Sequence, residues 1–353
     1  MVESTRAYIA SVATAVPEYS ADQQFAEEFM KKHYGPRLNR RSMGLISTVF
    51  SHPSIRKRHF AFDDPARLVQ ETPDERVARF TERSIELAVS AIRNALDKAR
   101  VTVHDVRGLV VNTCTGYICP GIATYLVERL GLARDIRLYD LVGSGCGGAI
   151  PNLQVAESLL PRAPEGVVVS VSVEICSATF EMDNDLSLIL SNALFGDGAA
   201  AAVLWTRPEG LEIAGTGAWY APEHREAIRF VHKEGRLRNQ LSLRLPELVA
   251  AAASAVSRDV LGHASVEAAA VSHWALHTGG EKILNAVRDE LKIPEDRLWA
   301  SRKVLGEYGN MSSPTVWFVL EEILKRGMGA GETCLMLAYG AGMSAHGALL
   351  RKK

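Results

Sequence analysis

The residues of this chain best suited to chemistry stand at the ends of secondary-structure elements. Cys146 lies in Leu141-Val-Gly-Ser-Gly-Cys-Gly-Gly-Ala149, where a β-type run passes into a helical one, so the thiol sits on a tight strand-to-helix turn. Glycines on both sides allow unusual backbone angles and close approach of a substrate. A thiol near a helix N-terminus feels a partial positive charge that lowers its pKa and raises its thiolate fraction. Pro151 is an awkward neighbour, because a proline inside a helix removes a hydrogen bond and crowds the preceding turn. The helix is therefore expected to start one turn later or to kink there. His277, in Trp274-Ala-Leu-His-Thr-Gly-Gly280, ends a second β run at a glycine turn. Asn310, in Tyr308-Gly-Asn-Met-Ser-Ser-Pro314, precedes a proline-initiated helix. Three polar residues at three element ends can converge on one cavity. A glycine-flanked cysteine also serves packing, however, and a lone histidine or asparagine so placed is usually structural. By themselves the residues leave both readings open.

Positioning these groups requires an α/β fold. Short β-rich runs alternate with helical stretches, and the near-continuous apolar runs GLVVN, GVVVSVSV and AAAAVLW suit strands covered on both faces. Strands are expected over Arg6 to Ala13, Val106 to Thr113, Ile136 to Val142, Gly166 to Val173 and Ala199 to Trp205. Further strands fit Leu211 to Trp219, Ala268 to Leu276 and Thr333 to Tyr339. Helices fit Glu82 to Lys98, Leu153 to Leu160, Leu245 to Leu261, Lys282 to Leu291 and Thr315 to Lys325. Near Thr206 to Gly210 one strand-helix series ends and a similar one begins. That divides the chain into an N-terminal half, residues 1–206, carrying the cysteine, and a C-terminal half, residues 207–353, carrying the histidine and asparagine.

Bulk properties exclude several classes of function. Of 353 residues, 47% are hydrophobic and 23% charged, with a formal net charge of -1, so no long-range field attracts nucleic acid or an anionic membrane. An anionic ligand must be held by local groups. The N-terminal stretch lacks a basic region followed by a long apolar one, and no window reaches the roughly 18 apolar residues of a spanning helix. A soluble, cytoplasmic protein without membrane insertion is expected. Five scattered cysteines, Cys114, Cys119, Cys146, Cys176 and Cys334, indicate neither a disulfide framework nor a zinc site. His273 precedes His277 by four residues, a separation of about 13 Å along a strand, which rules out a metal pair. No glycine loop with a lysine is present to cradle a nucleotide phosphate. The basic triplet Arg56-Lys57-Arg58 reads either as a solvated surface turn or as a contact for phosphates.

Four stretches carry a specific resemblance: GCGGAIP around Cys146, ALFGDGAAA over Ala193 to Ala201, LHTGG around His277, and EYGNMSSPTVWFVLEE over Glu307 to Glu322. In order and spacing they resemble the type III polyketide synthases, the family of chalcone and stilbene synthases and their bacterial relatives, over most of the chain. The resemblance implies a thiolase-like fold of five layers, αβαβα, built from two pseudo-equivalent halves, and a homodimer. It implies Cys146 as nucleophile, with His277 and Asn310 binding the thioester carbonyl. An acyl-CoA starter would load onto Cys146 and be extended by decarboxylative condensation with malonyl-CoA, the CoA thioesters being substrates and no cofactor being needed. It also places Phe195 as a gate between the catalytic centre and the CoA tunnel. Thr115, Cys176 and Thr179 would line the acyl pocket, and Cys119 would cross into the neighbouring subunit. Arg56 is the implied CoA contact, with Gly279 and Gly280 at the same mouth.

Departures from the plant pattern bear on substrate. The segment Gly44 to Pro53 carries no Lys or Arg, and Lys282 is the candidate to supply the missing charge. Gly147 stands where plant enzymes have a bulky aromatic, and Tyr339-Gly-Ala-Gly-Met343 where they have a proline-containing loop. An altered cavity open to an aliphatic tunnel would give alkylpyrones, alkylresorcinol-type lipids or related polyketides. Two rival readings are a single-step β-ketoacyl synthase using an acyl carrier protein, and a non-catalytic partner subunit. The second is disfavoured because all three polar residues are present.

Overall fold

The computed structural model describes residues 6–163 and 165–353, so the first residues of the stretch read for a leader lie outside it. The N-terminal half contains β1 (Tyr8–Ala15), β2 (Ser20–Asp22), β3 (Lys57–His59), β4 (Val106–Asn112), β5 (Arg137–Leu141), β6 (Val167–Glu174) and β7 (Gly198–Trp205). Its helices are α1 (Gln23–Tyr34), α2 (Arg40–Phe50), α3 (Pro73–Ala99), α4 (Ile122–Leu130), α5 (Ala149–Leu159) and α6 (Leu186–Leu194). The rest of the chain adds β8 (Leu211–Tyr220), β9 (Ile228–Lys233), β10 (Arg236–Leu241), β11 (His273–Leu276), β12 (Thr333–Gly340) and β13 (Ser344–Lys352). With them come α7 (Leu245–His263), α8 (Glu281–Leu291), α9 (Trp299–Tyr308) and α10 (Thr315–Arg326).

The main sheet runs β11-β12-β13-β8-β1-β7-β6-β4-β5. Its two parts meet at β1 and β8, where Tyr8 stands opposite Glu212 and Ile9 opposite Leu211. On one side β1 is antiparallel to β7, β7 antiparallel to β6, and β6 parallel to β4. On the other, β8, β13, β12 and β11 repeat that order and those senses. The same arrangement occurs twice, although no repeat is visible in the residues.

Three apolar clusters make the layers. One joins α3 and α4 to the β4, β6 and β7 side of the sheet, through residues such as Ile92, Leu126, Val169 and Val203. A second joins α7 and α8 to β11–β13, through Val256, Leu284, Leu335 and Leu349. Between them, α5 and α10 share one core built on Ile150, Leu153, Trp317 and Leu320. In α10 every residue from Thr315 to Ile323 is buried, as expected of a helix packed on all sides.

Expected strands and helices are present to within a few residues, with three corrections. Helix α3 begins at Pro73, two turns and more before the expected Glu82, because Thr72 and Glu75 form a capping box there. Ala268–Ala270 is a 3₁₀ turn, and only His273–Leu276 of that run is strand, since pairing with β12 begins at His273. The helix after Cys146 starts at Ala149, earlier than expected. A 3₁₀ turn over Gly145–Gly147 leads into it, so Pro151 falls in the first turn, where an absent N–H leaves no intrahelical bond unmade.

That turn sits directly on the β12–β13 connection. A Cβ added at Gly340 would lie 2.0 Å from the Ser144 carbonyl oxygen and 2.7 Å from the Gly147 nitrogen. Gly340→Ala must therefore push the Cys146 turn away from β12. Overpacking of this kind costs about 1–3 kcal/mol, so the variant should melt several degrees lower; an unchanged Tm would contradict the contact.

Candidate active site

The two central helices bring the three polar residues together. Cys146 precedes α5, Asn310 precedes α10, and His277 follows β11, where its N–H donates to the Leu337 carbonyl at 2.8 Å. All three line one chamber of about 30 Å³, with Phe195 in its wall. A second chamber of about 30 Å³ shares Cys146 and Phe195 and adds Thr115, Cys176 and Thr179. Phe195 thus stands between the two.

The orientation of Asn310 follows from its hydrogen bonds. Its Oδ1 accepts the Ser312 N–H at 2.8 Å, which leaves the NH₂ group for the chamber. Its backbone N–H donates to the Leu194 carbonyl at 2.9 Å, and its carbonyl accepts the Gly196 N–H at 3.0 Å. The asparagine and the Phe195 segment are therefore fixed to each other.

Burial keeps the thiol and imidazole neutral as separate groups. It pushes Cys146 up to about 12, against the smaller lowering influence of Ser312 and Asn310. This reverses the lowered pKa expected from a helix N-terminus: the thiol sits on the 3₁₀ turn before α5, and desolvation outweighs the helix. Burial likewise lowers His277 to about 3. Nδ1 of His277 is buried with no partner among the described residues, so the proton is assigned to Nε2, the nitrogen left to the chamber. The site offers a thiol beside two neutral N–H donors, a set suited to covalent acyl transfer and to stabilising an oxyanion.

Residues 17–214 match the family described as FAE1/type III polyketide synthase-like protein, and residues 213–352 match the chalcone and stilbene synthases, C-terminal domain. The chain is a type III polyketide synthase. It is 28% identical to the 1,3,6,8-tetrahydroxynaphthalene synthase of Streptomyces peucetius subsp. caesius, over 97% of this chain and 92% of that protein. It is 28% identical to the 3,5-dihydroxyphenylacetyl-CoA synthase of Streptomyces toyocaensis, over 87% of this chain and 82% of that one. The crystal structure of PKS-I from the brown alga Ectocarpus siliculosus superposes with a TM-score of 0.91 at 27% identity, covering both chains fully. The five-layered thiolase-like fold is thus shared with solved polyketide synthases.

In this polyketide synthase the remaining candidates divide. Thr115, Cys176, Thr179 and Phe195 reach the second chamber, and Gly279 the first. Cys119 is exposed at the surface. Gly280 shapes the turn before α8 with a φ of 126°, and Lys282 is exposed on that helix. Arg56 is exposed and bonds Glu307 at 3.4 Å. Arg58 fits neither reading of the basic triplet. It is buried, donates to the Asn192 and Phe195 carbonyls at 2.7 Å each and to Gln23 at 3.0 Å, and so holds the Phe195 segment in place. Burial lowers it to about 9.

Sequence reasoning missed Glu174. Its Oε2 accepts the Cys114 and Thr115 N–H groups at 2.9 and 3.1 Å and the Thr115 hydroxyl at 2.9 Å. Its Oε1 accepts the Ser313 hydroxyl at 2.6 Å. Glu174→Gln places an NH₂ among these donors and leaves at least one buried N–H unpaired, at a cost of about 1–3 kcal/mol. Circular dichroism melting should show that loss; a variant as stable as the parent would mean that Glu174 is already protonated and not an acceptor at both oxygens.

Proposed function

We propose that Cys146 takes the acyl group of a CoA starter and that His277 and Asn310 stabilise the enolate of malonyl-CoA. The observation that carries this reading is the common chamber in which the thiol meets the two N–H donors. Sulfur attacks the starter thioester and CoA leaves with the thiol proton. Malonyl-CoA then loses carbon dioxide, and its electron pair passes to the thioester oxygen held by His277 and Asn310. The enolate carbon attacks the acyl thioester on Cys146, releasing the sulfur and giving a β-ketoacyl-CoA two carbons longer. Closed chambers favour both intermediates, since water would hydrolyse one and protonate the other. No step calls for a cofactor beyond the CoA thioesters.

Room for the growing chain lies beyond the second chamber. An open groove of about 780 Å³ shares Thr115, Gly145, Phe230 and Ala341 with it. A third cavity of about 60 Å³, walled by Phe25, Phe29, Met30 and Phe180, meets Cys176 and Phe195. This apolar room supports an alkyl starter and alkylpyrone or alkylresorcinol-type products. For CoA, Lys282 stands next to the chamber residue Ile283 in sequence and Arg56 bonds Glu307, shortly before Asn310, and both are exposed, as a phosphate contact requires. Two halves dividing between β7 and β8, at residues 206 and 207, are supported by the repeated strand order.

A homodimer is supported by the exposed edge of the sheet. Strand β5 has a partner on one side only, and Tyr139, Val142 and Tyr117 beside it are exposed, Tyr117 to 76%. Unpaired edges invite pairing with another chain, and Cys119 would enter the partner there. Light scattering should give twice the 38.4 kDa chain mass, and a monomer at micromolar concentration would refute it.

Incubating the protein with acyl-CoA starters and malonyl-CoA, with no carrier protein, should yield multi-ketide products by mass spectrometry. Cys146→Ala should abolish extension yet retain malonyl-CoA decarboxylation. His277→Ala should cut decarboxylation about 10²–10³-fold, the range for losing one oxyanion donor. Extension surviving in Cys146→Ala would remove the cysteine from the mechanism. For Lys282→Ala, a raised KM for malonyl-CoA is expected, and an unchanged one would discard that contact.

A further inference from the structure

The β9–β10 hairpin roofs the second chamber, and its residues alternate in character. Arg229, Arg236 and Arg238 are held in ion pairs with Glu226, Glu181 and Asp183. Ile228, Phe230, Leu237 and Leu241 line the chambers and the groove, where Arg229 also borders the second chamber and the groove and Arg236 the groove. Asn239, opposite Phe230 in the ladder, breaks this apolar series. It is only 9% exposed, lines the chamber that holds Cys146, and its amide makes no hydrogen bond among the described residues. Its polar atoms are not sealed in by packing either; they open to the chamber.

An amide so placed has no partner in the protein, and a leucine would continue the apolar face. The occupant of this chamber, on the condensation reading above, is the chain tethered to Cys146. A poly-β-keto chain carries a carbonyl on every second carbon and enolises readily, so it offers acceptors and enol donors at regular intervals. We propose that Asn239 reads these oxygens: Nδ2 donates to a ketone of the extended chain and Oδ1 accepts from an enol O–H. The bond fixes the register at which the chain passes Phe230 into the groove, and hence its length and ring closure. Buried hydrogen-bonding groups discriminate strongly, because a chain in the wrong register leaves them unpaired. Neither Cys146 nor the enolate donors are involved, so the bond governs which product forms and leaves the condensation itself intact.

The test compares Asn239→Leu and Asn239→Ser with the parent enzyme on one starter, measuring product ratio, malonyl-CoA decarboxylation and Tm. In Asn239→Leu, decarboxylation should stay within about twofold and Tm should rise, because an unpaired amide is replaced by an apolar group of similar shape. The ratio of fully extended to shorter or uncyclised products should fall about tenfold, the upper range for losing one ordinary hydrogen bond. Asn239→Ser, which keeps a donor, should fall between, and it carries the same comparison if the leucine variant fails to fold. An unchanged product ratio in a folded variant overturns the proposal, whatever happens to Tm, and leaves Asn239 as a holder of water. A parent enzyme that makes no multi-ketide from any starter sinks the condensation reading instead.

Discussion

The site depends on one buried carboxylate that both ends of the molecule must satisfy. Glu174 ends β6, and an ionised carboxylate has only acceptors, so everything around it must arrive as a donor. The β4 side supplies the N–H groups of Cys114 and Thr115 and the hydroxyls of Thr113 and Thr115. The loop before α10 supplies the hydroxyls of Ser312 and Ser313. Burial raises this carboxyl, and those hydrogen bonds pull it back. Bonds to a charged group are worth about 1.5–3 kcal/mol each, so they offset part of the desolvation, which still holds the carboxyl above its ordinary value. Once Ser312 is held there, its N–H meets Oδ1 of Asn310 and turns the asparagine donors into the chamber. The orientation of a proposed catalytic group thus begins on a strand of the other half.

The layered fold supplies the second requirement, exclusion of water. Helices α5 and α10 are sandwiched between the two parts of the sheet, so their starting turns lie deep in the molecule. Cys146 and Asn310 stand just before those turns, and the chambers beside them are small. Phe195 separates the chambers, and Arg58 holds its carbonyl from behind with a cation that makes no ion-pair contact among the described residues. A buried guanidinium is costly; here the cost is offset by the charge of Asp197 and by carbonyl acceptors at the end of α6, where the helix dipole is negative.

The strands were legible because strands covered on both faces read as continuous apolar runs. Helix α10 was legible from its proline start and apolar content. Helices α1 and α2 were not: α1 is rich in charge, α2 mixes Ser, Thr and Gly with its apolar residues, and both gain their order by packing on one another and on α6. The β9–β10 hairpin was missed because Arg229, Lys233, Arg236 and Arg238 mask a period of two whose inner face is the chamber roof. The trio of Cys146, His277 and Asn310 could be picked out as element ends, but their meeting needed the fold. Glu174 gave no local signal, since a glutamate at a strand end normally meets solvent. Arg58 was misread for the same reason, as a charge in a polar segment whose burial only tertiary structure reveals.

The neutral state of His277 bears on which proposed role it can hold. An imidazole lowered to about 3 by burial is a weak base, so it is poorly suited to removing the Cys146 proton alone. As a donor it is well suited: a neutral N–H stabilises an enolate oxygen without handing over a proton, whereas an imidazolium in the same place would protonate the enolate and quench the carbon–carbon bond. Creating the thiolate must then rely on a mutual effect. Moving a proton from Sγ to the imidazole makes an ion pair whose attraction is strong in a low-dielectric chamber, with Ser312 and Asn310 favouring the sulfur charge. The two groups would titrate as one unit. On the proposed mechanism, acylation of Cys146 removes the anion and returns the histidine to its neutral form, ready for malonyl-CoA. Burial would thereby order the two half-reactions: the pair ionises only while the sulfur is free, and the enolate is formed only against neutral donors.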